Sequence, residues 1–158
     1  MLLGTPMLHR FITQAYHRDN DWSCELVSRI SAIVGRCVPE LEEVSIDEYH
    51  AEAVTDALGE GEHIRIGDLL HDSWQRDRQI RCIVLLLQRG EEEILLPGPE
   101  TGVQPGDRLL VCAGRGGLRR LYWNMQNAGI LSYVRTGEVR THGWLWSKLF
   151  RNGSGNGH

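Results

Sequence analysis

The run 79–88 constrains the fold of this chain more than any other segment. Its centre, Cys82 to Leu87, is uninterrupted apolar sequence rich in leucine and β-branched residues, which is typical of a strand buried on both faces. The polar turn 89–92 and the short segment 93–96 follow, and together they predict a β-hairpin. We therefore expect a sheet that is covered on both sides to form the centre of the molecule.

The flanking sequence changes between helical and extended periodicity. Apolar residues at helical spacing predict helices over 7–17 and 22–36, with a capping segment at 19–21 between them. These two helices should form a hairpin that packs on a later part of this chain or on another subunit. The remaining expected elements are a short strand at 41–46, a helix at 51–58, a strand at 107–113, a helix at 118–127 and an edge strand at 130–134.

These elements predict an α+β fold: an N-terminal helical hairpin followed by a small mixed β-sheet domain with covering helices. The expected organisation of the 158 residues is a helical lead-in (1–38), the α+β domain (39–135), a tryptophan-rich docking tail (136–150) and a disordered tail (151–158). In that docking tail, the aromatic residues Trp144, Trp146 and Phe150 should seat in a groove of the main body or of a partner. Contact with a membrane interface is the alternative.

Charge and hydropathy limit the function classes. No apolar run approaches the roughly 18 residues that cross a bilayer, and the N-terminus does not resemble a secretory signal, so we expect a cytoplasmic protein. The net charge is −4, with nine carboxylates and no Lys or Arg between residues 40 and 62. This balance disfavours nonspecific nucleic-acid binding, and we expect no nucleic-acid partner.

Reactive side chains form no recognisable catalytic or metal-binding pattern. The four cysteines (Cys24, Cys37, Cys82 and Cys112) lack a C-x-x-C pair, and we expect them to be free, buried thiols. The seven histidines lack metal-ligand spacing, so no metal site is predicted. Since hydrolase, phosphate-loop and zinc-protease motifs are also missing, we expect no enzymatic activity.

A glycine-rich turn at 114–117 is the candidate phosphate-binding loop. It follows an apolar strand and precedes a helix, and Gly114, Gly116 and Gly117 could bring backbone amides close to a phosphate. However, Arg119 stands where a dinucleotide fingerprint needs its third glycine. A plain strand-to-helix turn is the alternative.

The segments 82–90, 94–97 and 106–111, together with Thr101 and Gly114, resemble the TrkA-C domain. This is the C-terminal lobe of regulator-of-potassium-conductance modules, and the resemblance extends over residues 41–114. The helical lead-in and the tryptophan-rich tail lie outside it, and the polar stretch 72–79 is longer than the family's usual connection. Because related proteins carry a nucleotide-binding lobe upstream, we expect a cytosolic fragment of a larger membrane protein.

The resemblance implies a cytosolic regulatory, ligand-sensing and dimerisation module of a bacterial potassium channel or transporter. A small ligand, which is a nucleotide (a cyclic dinucleotide) in some members of the family, would sit between two such domains. Loose positional correspondence suggests Arg65, Ile66, Arg81 and Ile83 as its contacts. Arg65 and Arg81 could instead pair with the acidic stretch 40–62. The implied partners are a second copy of the chain and a membrane-embedded pore or transporter portion, in the same or another chain. The implied location is the cytoplasmic face of the inner membrane.

Two other functions stay open at this stage. One is a dimerisation scaffold that binds no ligand. The other is a nucleotide-binding enzyme fragment that uses the 114–117 loop, although no acid or nucleophile is visible near that loop.

Overall fold

The computed structural model describes residues 6–138 of the chain. Within that range the elements, in chain order, are α1 (Pro6–Tyr16), α2 (Asn20–Val34), β1 (Glu40–Ser45), α3 (Glu52–Gly59), α4 (Ile66–Leu69), β2 (Cys82–Arg89), β3 (Glu92–Leu95), β4 (Arg108–Ala113), α5 (Gly117–Gln126) and α6 (Ala128–Thr136). The predicted tryptophan-rich tail lies outside the described residues from 139 onward, and so does the whole predicted disordered tail.

The four strands form one sheet in the order β1-β4-β2-β3, and every neighbouring pair is antiparallel. The α+β class is therefore confirmed, but the expectation of a mixed sheet is wrong. β1 and β2 do run in the same direction, since each is antiparallel to β4. They never pair with each other, because β4 returns between them and removes the parallel contact that a mixed sheet would need.

β2 is buried on both faces, as its sequence predicts. Its pairing with β4 shifts register between Val84 and Leu86, so Leu85 is the extra residue of a β-bulge. Ile83 and Leu85 belong to an apolar cluster shared with α1 and α2. Val84 packs into a larger cluster formed with helices α3 to α6. Two separate cores, one on each side of the sheet, thus account for the unbroken apolar run.

The helical hairpin packs on this same chain. Asp19 caps α2 by accepting a 2.8 Å hydrogen bond from the backbone N–H of Trp22, as the polar segment 19–21 predicts. Met7 and Phe11 of α1 and Leu26 of α2 are buried in the cluster that covers one face of the sheet. The hairpin is expected to pack on a later part of this chain or on another subunit, and the structure shows it packed on a later part of the chain.

A buried ion pair fixes the β2–β3 hairpin to the start of β4. Asp107 is only 1% exposed, and its carboxylate accepts hydrogen bonds from Arg89 at 2.9 and 2.7 Å. It also accepts a 2.8 Å bond from the backbone N–H of Gln104. The bond to Asp107 raises the pKa of the Arg89 guanidinium, which favours its charged form. Arg89 and Asp107, both within the segments that carry the family resemblance, therefore have a structural role.

The predicted edge strand at 130–134 is wrong, because this segment lies within helix α6. Its β-branched and aromatic residues favour a strand by intrinsic preference. In the structure, Leu131 and Val134, three residues apart, are both buried on one helix face in the core that includes α3 and α5. Gly137 ends the helix in the left-handed conformation and donates to the carbonyl of Tyr133. Burial of this face overrides the local preference.

Truncation of Leu85 tests the two-core arrangement. Leu85 is 2% exposed beneath the helical hairpin, so Leu85→Ala should lower the free energy of unfolding by about 2–5 kcal/mol in chemical denaturation. Val38→Ala is the matched control, since Val38 is 88% exposed and should lose little. A loss below about 1 kcal/mol at Leu85 would contradict the core on the hairpin side of the sheet.

Candidate functional site

A cleft of about 550 Å³ lies between the loop that precedes β2 and the first turn of α5. We call it the arginine pocket, because four of its lining residues are arginines. Its lining residues are Asp72, Trp74, Gln75, Arg78, Gln79, Ile80, Arg81, Arg115, Gly116, Gly117 and Arg120. Its volume is within the range of roughly 300–1,000 Å³ typical of small-molecule sites.

Asp72 organises the loop that forms one wall of the pocket. Its buried carboxylate accepts hydrogen bonds from the backbone N–H groups of Trp74 at 2.8 Å and Gln75 at 3.3 Å. Its own N–H donates to the carbonyl of Arg78 at 2.8 Å, which closes the loop on itself. The second carboxylate oxygen pairs with the guanidinium of Arg120 on α5. One acidic side chain therefore shapes the loop and ties it to the helix.

The 114–117 turn forms the opposite wall and packs directly on the backbone of Arg81. The N–H of Gly114 donates to the carbonyl of Arg81 at 2.8 Å. A Cβ at Gly117 would lie 2.3 Å from that same oxygen, and a Cβ at Gly114 would lie 3.1 Å from the carbonyl oxygen of Ile33 in α2. These two glycines are required for close backbone packing. The strand-to-helix context expected for the turn is confirmed.

The pocket carries an excess of positive charge. Within residues 6–138, the side chains of Arg78, Arg81 and Arg115 form no ion pair or hydrogen bond, whereas Arg120 pairs with Asp72. In the part of the chain that the structure describes, Asp72 is the one acidic residue among the lining side chains. Gly116 precedes α5 in the left-handed conformation and supplies no capping side chain, so an anion could interact with the positive end of the helix. The charge of the lining therefore favours an anion over a cation.

The structure brings together some of the predicted site residues and separates others. Arg81, Gly116 and Gly117 line the arginine pocket, although the sequence connects them to two different hypotheses. Gly114 lies in the same turn but packs against α2.

Three other candidates lie away from this pocket. Arg65 pairs with Glu100 at 2.6 Å, outside the acidic stretch 40–62, and Ile66 is in the core. Ile83 is 5% exposed beneath the helical hairpin, so it offers little surface to a ligand while α1 and α2 are seated.

Sequence reasoning missed Trp74, Arg78, Arg115 and Arg120 as site residues. The stretch 72–79 stands out in the sequence only as a polar connection of unusual length. Its two arginines and its tryptophan, followed by Arg115 inside a glycine-rich turn, are a signal for an anion site. That signal becomes specific only when the fold places the two segments side by side.

The thiols next to the pocket are not activated. Cys82, beneath the start of α5, is buried, and burial together with the neighbouring Cys112 raises its pKa to about 12. Burial also raises the pKa of Cys112. Both groups are therefore protonated at neutral pH. The expectation of burial is confirmed for these two cysteines and is wrong for Cys24, which is exposed, and for Cys37, which is partly exposed.

The described residues form neither a metal-binding cluster nor a membrane-spanning helix. Within residues 6–138, no group of three or more His, Cys, Asp or Glu side chains could hold a metal ion. Across the same range, every helix is too short or too polar to span a membrane.

Residues 72–125 match the family model of the TrkA-C domain. The chain carries a TrkA-C domain. The matched segment runs from Asp72 to Met125, so it contains the whole arginine pocket together with β2, β3, β4 and most of α5. TrkA-C is a regulatory domain associated with potassium transport. No curated protein matches the chain.

Removal of the Asp72 carboxylate should destabilise the protein. Asp72→Ala leaves the N–H groups of Trp74 and Gln75 and the guanidinium of Arg120 without their partner, which should cost about 1–3 kcal/mol in urea unfolding. Asp77→Ala is the matched control, because Asp77 is exposed in the same loop. Equal stability of the two variants would contradict the role given to Asp72.

A methyl group at Gly117 should disrupt the pocket wall. Because its Cβ would lie 2.3 Å from the carbonyl oxygen of Arg81, Gly117→Ala should lower the free energy of unfolding by about 1–3 kcal/mol. Gly98→Ala is the control, since a Cβ at Gly98 has no atom within 4 Å. An unchanged melting temperature for Gly117→Ala would show that the turn does not pack as described.

Proposed function

We propose that this chain is a cytosolic regulatory module of a bacterial potassium channel or transporter, and that it responds to a small anionic ligand in the arginine pocket. One observation carries the proposal: three arginines without ion-pair partners in the described residues line one pocket that lies inside the TrkA-C match. Guanidinium groups held close together repel one another, and a bound anion removes that repulsion.

Binding rather than catalysis is the activity that the pocket supports. Its charged lining consists of arginines and Asp72, and both carboxylate oxygens of Asp72 are engaged in hydrogen bonds. Such a constellation can hold and orient an anion. A catalytic role would need a free general base or nucleophile beside the ligand. We therefore propose a function that is not enzymatic.

Contacts of the pocket loop suggest how ligand binding would affect helices α5 and α6. Arg76, in the same loop, donates to the carbonyls of Val134 at 3.3 Å and Arg135 at 3.0 Å, at the end of α6. Asp72 ties the loop to α5 through Arg120. A ligand that favours one position of the loop would shift the population of arrangements of these helices. In this mechanism the ligand changes the regulatory state through differential binding.

The proposed assembly is a homodimer that acts on a membrane-embedded pore or transporter portion, in the same or another chain, at the cytoplasmic face of the inner membrane. Supporting the dimer, α1 and α2 expose large apolar side chains: Ile12 is 57%, Tyr16 86% and Val27 63% exposed. The same surface supports the second candidate function, a dimerisation scaffold that binds no ligand.

Thermal unfolding with inorganic pyrophosphate tests the anion response. A ligand at 100 times its dissociation constant stabilises the native state by about 2.7 kcal/mol, which raises the melting temperature. The wild-type chain should show this increase, and the double variant Arg78→Ala/Arg115→Ala should lose it. Arg29→Ala/Arg119→Ala is the control of equal charge change, because both residues are exposed and neither lines the pocket. The same response in wild type and in both variants would refute the assignment of the site.

Light scattering tests the dimer. The wild-type chain should have the mass of a dimer at micromolar concentration, and Tyr16→Asp/Val27→Asp should be a monomer because it places charges on the exposed apolar surface. Tyr49→Asp is the control, since Tyr49 is 87% exposed and belongs to the segment between β1 and α3. A wild-type monomer would contradict the dimer. A dimer without any response to pyrophosphate would favour the ligand-free scaffold.

A further inference from the structure

We propose that the arginine pocket takes a nucleoside polyphosphate within a single chain, with Trp74 stacking on the base. This inference rests on the proposed function and adds to it the chemical class of the ligand. Two features of the pocket favour a ligand larger than a bare oxyanion. One is its volume of about 550 Å³, and the other is an indole that lines the pocket and is 81% exposed.

The polyphosphate would bind at the end of the pocket formed by α5 and its preceding turn. Arg81 and Arg115 lie on the two backbone segments that meet there, and both side chains are free of ion pairs within residues 6–138. The planar guanidinium donates two parallel hydrogen bonds to phosphate oxygens, which makes arginine better suited than lysine to this role. The backbone at Gly116 and Gly117 adds the positive end of the α5 dipole.

The aromatic base would bind over Trp74. In a folded protein an indole usually packs against other groups, and this side chain exposes most of its surface although it belongs to a loop held by Asp72. Stacking would cover that apolar surface with a flat ring. Gln75 and Gln79 line the same cleft and carry amide groups that can donate to, and accept from, the edge of a base. The pocket therefore combines anion contacts with a stacking surface.

Calorimetric titration of the full chain with ATP and with inorganic tripolyphosphate, both without divalent metal, separates this inference from the proposed function. ATP should bind the wild-type chain about 10-fold more tightly, because a stacked base adds free energy that tripolyphosphate cannot supply. Trp74→Ala should remove this advantage, so that ATP and tripolyphosphate bind that variant with equal affinity, and Trp74→Phe should retain most of it. Trp123→Ala is the control, since Trp123 is 53% exposed and outside the pocket.

Each outcome has a distinct meaning. Equal affinities for ATP and tripolyphosphate, with no effect of Trp74→Ala, would overturn the nucleotide inference and leave an anion-responsive pocket. An ATP preference that persists in Trp74→Ala would overturn the role of the indole in binding the base. Absence of binding by both compounds would overturn the nucleotide inference together with the proposed anion response.

Discussion

The contact between the carbonyl of Arg81 and the 114–117 turn is the constraint on which the rest of the site depends. At this point the start of β2, the end of β4 and the first turn of α5 meet. The N–H of Gly114 donates to that carbonyl, and the carbonyl oxygen leaves no room for a side chain at position 117. The close approach brings Arg115 to the same cleft as Arg78 and Arg81. Without it, these arginines would be separate surface charges of little consequence.

The two faces of the sheet have different consequences for ligand binding. The helical hairpin covers the face that carries Ile83 and Leu85, and so it removes one of the positions that the family resemblance suggests for ligand contact. The arginine pocket instead lies beside the loop before β2, inside the TrkA-C match. The proposed site is therefore formed by residues of one chain. Asp72 and Arg76 link that loop to α5 and α6, so a change in the position of the loop would alter its contacts with these helices.

Much of the fold follows from local sequence signals, because periodicity and turn residues act over short distances. The run of apolar residues through Leu85 identifies the central strand, and Asp19 identifies the start of α2. The helix at Leu131 could not be predicted in this way, since its formation depends on packing against helices distant in sequence. The site is harder to predict from the sequence than the fold. Asp72 and Arg120 are separated by 48 positions, and only the tertiary structure shows that they pair. The sequence indicates Arg81 as a ligand contact and Gly117 as part of a phosphate-binding loop on separate grounds. It does not place the two residues in one pocket.

We propose that the 72–81 loop and the start of α5 act together as one anion-binding site. Amide nitrogen–proton NMR spectra recorded during a pyrophosphate titration test it most directly, because each backbone amide reports on its own surroundings. If the two walls form one site, the amides of Trp74, Arg81, Gly116 and Gly117 should shift along one common binding curve, while the amides of α1 stay unchanged. Shifts confined to exposed arginines elsewhere, such as Arg29, or a different binding curve for each wall of the pocket, would contradict it.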